Sequence, residues 1–137
     1  MRIIPTALIA GTLLVPVSAS AELNMKPGLW EAVMSVAGNP ARTEQKCYLQ
    51  KDVDSLDRFQ RGEAAPGQAC STSNYQALGN TMTYTLTCQF NGKKSVSAVT
   101  TNYDGDHIIG LIAGADGTIT QLTNTRIGDC TQSSFGN

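Results

Sequence analysis

From Leu29 to Val36 apolar and polar positions alternate. Trp30, Ala32, Met34 and Val36 fall on one face and Glu31 and Ser35 on the other, the period of a half-buried β-strand. Gly38-Asn39-Pro40 breaks the run, and Thr43 to Leu49 predicts a second strand with Cys47 near its end. The period then changes. Val53, Leu56 and Phe59 recur every three residues with Asp and Arg between them, which predicts a short helix from about Lys51 to Phe59. Gln60 to Ala69 contains Gly62, Pro66 and Gly67 but no large apolar residue, and reads as a mobile loop.

Two β-type runs follow, Ser71 to Leu78 and Thr81 to Phe90, flanking Gly79-Asn80. That pair suits a type II′ hairpin because glycine accepts positive φ at the first turn position. Tyr75 and Ala77 on one strand, with Met82, Tyr84, Leu86 and Cys88 on the other, would share the inner face. After Asn91-Gly92 come Ser95 to Tyr103, the turn Asp104-Gly105-Asp106, and His107 to Ala113 with apolar residues on both faces. Gly114 to Gly117 then turns the chain into Thr118 to Ile127. The expected fold is mainly β: a single-domain antiparallel meander, forming a strongly curved sheet or small barrel with one short helix.

Four cysteines, Cys47, Cys70, Cys88 and Cys130, suit two disulfides. Placing Leu78 opposite Thr81 sets Cys70 against Gln89, with its sulfur on the wrong face for Cys88. A one-residue bulge near the strand end removes the conflict. Cys70–Cys88 with Cys47–Cys130 is therefore favoured, with Cys47–Cys70 and Cys88–Cys130 as the rival scheme. No Cys-x-x-Cys pair exists and His107 is the only histidine, so the sequence offers no metal site and implies no cofactor.

The amino terminus narrows the compartment. Met1-Arg2, the apolar run Ile3 to Val17 and Ala19-Ser20-Ala21 have the form of a signal peptide, residues 1–21, cut after Ala21. A run of about 15 residues with two prolines falls short of the roughly 20 that span a bilayer, so no transmembrane segment is expected after cleavage. Residues 22–137 would form one β-rich domain in the periplasm or outside the cell. Charged residues make up 15% of the 137-residue chain, and the formal charge of −1 is dispersed, which argues against nucleic acid as a partner.

Several landmarks fall in order: Met25-Lys26-Pro27-Gly28-Leu29-Trp30-Glu31, Cys47 before the helix, the Cys70 to Cys88 hairpin with Gly79-Asn80-Thr81, and Arg126-Ile127-Gly128-Asp129-Cys130. In these the chain resembles the bacterial envelope proteins grouped as the domain of unknown function 3617 family. The resemblance implies a small exported β-rich protein and brings no established activity. The family often has Thr-Pro two and three residues after its first cysteine, a pair that starts a helix well; this chain has Leu49-Gln50.

Chemistry is sparse. A general base would have to be His107, oriented by Asp104 or Asp106, and no nucleophile motif accompanies it. Asp104, Asp106 and Asp116 lie on glycine-rich turns without calcium-loop spacing. Trp30, Met34, Tyr75, Met82 and Tyr84 are the candidates for lining a ligand pocket, if the inner face encloses one rather than filling it. The expected function is non-enzymatic binding of a small apolar ligand or an envelope polypeptide. The alternatives are a structural or interaction protein of the cell envelope without a pocket, and a hydrolase-type enzyme using His107.

Overall fold

A computed structural model describes residues 23–63 and 67–136. The segment 1–21 read as a signal peptide, its cut after Ala21, and Pro66 of the predicted loop lie outside the described residues. The elements are β1 (Gly28–Val36), β2 (Asn39–Tyr48), α1 (Gln50–Gln60), β3 (Cys70–Leu78), β4 (Thr81–Phe90), β5 (Lys93–Asp104), β6 (His107–Gly114) and β7 (Ile119–Gly128). The seven strands form one antiparallel sheet in the order β2-β1-β7-β6-β5-β4-β3, curved but not closed.

From β3 to β7 the sheet is the expected meander. The first hairpin departs from simple succession: β1 pairs with β7, Trp30 opposite Arg126 and Met34 opposite Leu122. β2 and β3 are therefore the two edges, and the chain between them crosses from edge to edge through α1. The helix packs Val53 and Leu56 on Trp30, Met82, Tyr103 and Ile108, which belong to β1, β4, β5 and β6. One short helix can touch four strands because the sheet curls around it.

β2 starts four residues before the predicted Thr43. The turn is Ala37-Gly38, both at positive φ (50° and 82°), and Asn39-Pro40 already pairs with Val36 and Ser35. Proline is tolerated there because an edge strand has one side with no ladder to donate to. The helix forms without Thr-Pro. Asp52 Oδ2 accepts the Leu49 backbone N–H at 2.8 Å, while the Asp52 and Val53 N–H groups donate to Leu49 O. That is half of a capping box, supplied from inside the helix.

Both favoured disulfides are present, Cys47–Cys130 and Cys70–Cys88. The bulge that aligns Cys70 with Cys88 lies in mid-strand, at Asn74-Tyr75 between Ser73 and Gln76, rather than near the end. Asn74 takes the positive φ (55°) of that kink. At the turn Gly79 has φ 60°, the conformation expected of it. Disulfides persist in oxidising compartments, so this framework indicates an extracytoplasmic environment. Among the described residues no helix is long and apolar enough to cross a membrane.

Residues just before β1 complete the core. Leu23 and Met25 are buried, and Lys26 N–H and Asn24 O bond the backbone of Gly105 in the β5–β6 turn. This clamp brings Lys26 O within 3.0 Å of the Trp30 indole N–H, so the buried ring has its donor satisfied. Removing such a ring from water stabilises the fold by about 5 kcal/mol, from roughly 200 Å² at about 25 cal/mol per Å².

Candidate functional site

Strand periodicity determines what faces the helix. Partners in an antiparallel register share a face, so Trp30, Asn124 and Leu122, Ile108 to Ile112, Val99 to Tyr103, and Met82 to Leu86 all project their even or odd set inward. Beneath α1 this face does not close completely. A cavity of about 160 Å³ remains between Leu56 and Gln60 of the helix and the inner faces of β1 and β4 to β7. Its wall is chiefly apolar and aromatic, with Thr101, Asn124 and Gln60 as polar groups and no charged side chain.

One cause of the void is Gly110. It faces inward from β6, where a Cβ would sit 3.5 Å from Thr101 Oγ1 and 3.7 Å from Leu122 Cβ, ordinary contact distances. A methyl group would fit there, and its absence leaves space.

Two polar side chains meet at the roof, across the helix–sheet interface. Gln60 and Tyr103 are 2% and 3% exposed, and Gln60 Nε2 donates to the Tyr103 hydroxyl. Burial raises the Tyr103 phenol well above its ordinary range, the Gln60 hydrogen bond opposing this in part. Burial also raises Tyr84 and Tyr48. These phenols are therefore neutral at physiological pH, and so is the cavity.

Beyond the wall, on the same face of β2, Arg42, Glu44 and Lys46 form a row opposite Met34, Ala32 and Trp30. Glu44 accepts from Arg42 at 2.9 Å and from Lys46 at 3.0 Å. Its carboxyl is held below the usual range by the Lys46 hydrogen bond, then by the charges of Lys46 and Arg42. At the C-terminal end of β2, Ser134 exchanges hydrogen bonds with the Cys47 backbone, and the Phe135 ring packs tilted against Tyr48, centroids 4.7 Å apart.

Of the five candidates from sequence, Trp30 and Tyr84 line the cavity. Met82 is core, 2% exposed, and accepts a hydrogen bond from the Tyr75 hydroxyl at 3.2 Å; both lie beside the cavity rather than on its wall. Met34 is half-buried on the inner face of β1, beyond the wall. Asp104, Asp106 and His107 are exposed at the β5–β6 turn, with Asp106 paired to Lys26 at 3.0 Å, and none of them reaches the cavity. Asp116 is exposed and accepts the Thr118 N–H at 2.9 Å, which lowers its carboxyl. Among the described residues no three metal-ligating side chains converge.

The sequence pattern puts Gln60 in the loop and marks Tyr103 only as a strand end. Helical spacing marks Gln60, since 53, 56 and 60 fall on one face. No local signal marks Gly110 or Asn124, whose place depends on how far the sheet curls.

Fold and site together define a disulfide-stapled, curved antiparallel sheet that holds an uncharged cavity under a single crossing helix. The profile of a family described as Protein of unknown function (DUF3617) matches residues 25–130, and the chain belongs to that family. No curated protein matches the chain. No solved structure matches it either.

Proposed function

We propose that this is an exported, non-enzymatic binding protein that takes up a small apolar molecule in the cavity beneath α1, with Glu22 as the first residue of a single mature domain. The carrying observation is the cavity itself: about 160 Å³, walled by aromatic and aliphatic side chains and free of charge. An apolar void of about 150 Å³ in a protein core is known to stay dry and take up a benzene-sized ligand.

Strand addition by an envelope polypeptide is the weaker reading. At Cys47 the free edge of β2 already bonds Ser134, and Pro40 interrupts its other end; β3 is bulged at Asn74-Tyr75 and abuts α1, with Thr72 Oγ1 donating to Phe59 O. These are the devices that keep sheet edges from pairing. The hydrolase reading has only the exposed turn around His107 in its favour.

Trp30 is the only tryptophan and lies on the cavity wall, so its emission reports occupancy. Titration with cyclohexane should give a saturable change in wild type and none in Gly110→Val, whose side chain occupies the space while thermal stability is kept or raised. Absence of a saturable change in wild type with both cyclohexane and cyclohexanol would rule out the cavity as a ligand site.

A further inference from the structure

We propose that the molecule held in the cavity is an uncharged, ring-sized apolar compound carrying a hydroxyl group, and that Gln60, braced by Tyr103, is the group that recognises it. This inference rests on the cavity being a ligand site.

Gln60 is the first argument. The apolar stripe of α1 runs Val53, Leu56 and then Gln60, where a helix built only for packing would carry Leu or Met. Instead a glutamine is buried to 2% exposure on the wall of an apolar cavity. Its Nε2 is engaged by Tyr103 while its Oε1 has no hydrogen-bond partner, the one such buried side-chain atom among the described residues. An amide can be turned end for end without changing its shape. In either sense one polar atom bonds the Tyr103 hydroxyl and the other is left over, first as an acceptor, then as a donor. A hydroxyl group satisfies both, because it donates one hydrogen and accepts through two lone pairs.

Charge is the second. With no ionisable side chain on the wall except tyrosines that burial keeps neutral, a carboxylate or ammonium seated among these residues would find no ion-pair partner there. The charged row on β2, Arg42-Glu44-Lys46, stands outside the wall and its members are paired with one another. Size is the third: a volume of about 160 Å³ accommodates one saturated or aromatic ring.

Cyclohexanol, cyclohexane and cyclohexanecarboxylate share one ring and separate these arguments. Their dissociation constants would be measured at pH 8 by Trp30 emission on wild type and Gln60→Met, which keeps the length and loses the amide. Cyclohexanol should bind about fivefold more weakly to Gln60→Met than to wild type, the effect of one net hydrogen bond, while cyclohexane changes less than twofold. In wild type, cyclohexanecarboxylate should bind at least tenfold more weakly than cyclohexanol. Equal losses for cyclohexanol and cyclohexane, or no loss for either, overturns the role of Gln60. Carboxylate binding as tight as cyclohexanol overturns the requirement for a neutral ligand, and this arm needs only wild-type protein should Gln60→Met fail to fold. If neither neutral ring binds wild type, the cavity reading falls and this inference with it; if cyclohexane alone binds, the cavity stands and the hydroxyl is wrong.

Discussion

Removing the two disulfides one at a time should destabilise the protein unequally, in an order fixed by topology. Cys47–Cys130 joins residues 83 apart in sequence and Cys70–Cys88 joins residues 18 apart. The longer loop encloses the shorter one. With Cys70–Cys88 intact, the path around the outer loop is shortened to about 65 residues, and its closure entropy is worth about 4.3 kcal/mol. The same relation gives about 3.2 kcal/mol for the inner bridge. The cost of lost packing is similar on the two sides, since each bridge has one buried and one half-buried cysteine. The difference of about 1.1 kcal/mol therefore belongs to the unfolded chain. Paired alanine variants, Cys47→Ala with Cys130→Ala and Cys70→Ala with Cys88→Ala, avoid burying an unsatisfied hydroxyl. In urea denaturation, with a slope of about 1.2 kcal/mol per M, the outer-bridge variant should have its midpoint about 1 M below the inner-bridge variant. Equal midpoints or the reverse order, at unchanged slopes, would refute the loop-entropy reasoning and assign the bridges' stabilisation to local contacts in the native state.

Stability should also fall in alkali. Tyr48, Tyr84 and Tyr103 are raised chiefly by burial, so above about pH 10, where unfolded phenols ionise, the native state keeps protons the unfolded state loses. The contribution is present in full below that pH and is lost as pH rises toward the native values. Urea midpoints should be level up to about pH 9.5 and drop beyond it; a midpoint unchanged or rising between pH 10 and 11 contradicts the assignment. Gly28→Ala should cost about 2 kcal/mol or more, because φ is +150° and the new Cβ would sit 2.5 Å from Gly128 O. Differential scanning calorimetry measures this, and a wild-type transition temperature would mean that the β1–β7 junction yields more easily than its geometry implies.

Much of the architecture is written in local chemistry. Alternation in Leu29 to Val36, Gly79-Asn80 between two β-runs, and the three-residue spacing of Val53 and Leu56 each state a backbone preference that survives in the fold, because the tertiary structure buries the same faces that the pattern makes apolar. The Cys70–Cys88 pairing was legible too, since a period of two forces a bulge wherever both sulfurs must share a face. Other features depend on contacts between residues far apart in sequence. That β1 pairs with β7, putting β2 and β3 at opposite edges, follows from non-local hydrogen bonds that no short window encodes. How far the sheet curls decides whether inward side chains meet or stop short of one another, and hence whether Gly110, Thr101 and Asn124 surround space or fill it. Gln60 reads as a polar loop residue until the helix is laid across the sheet, where the same amide becomes a buried group bonded to Tyr103 with one atom left over. Sequence determined the strands and the helix because these are governed by period and turn chemistry, and it favoured one pairing of the staples while leaving a rival open; the cavity was decided only by the tertiary structure, because empty space is a property of how surfaces meet.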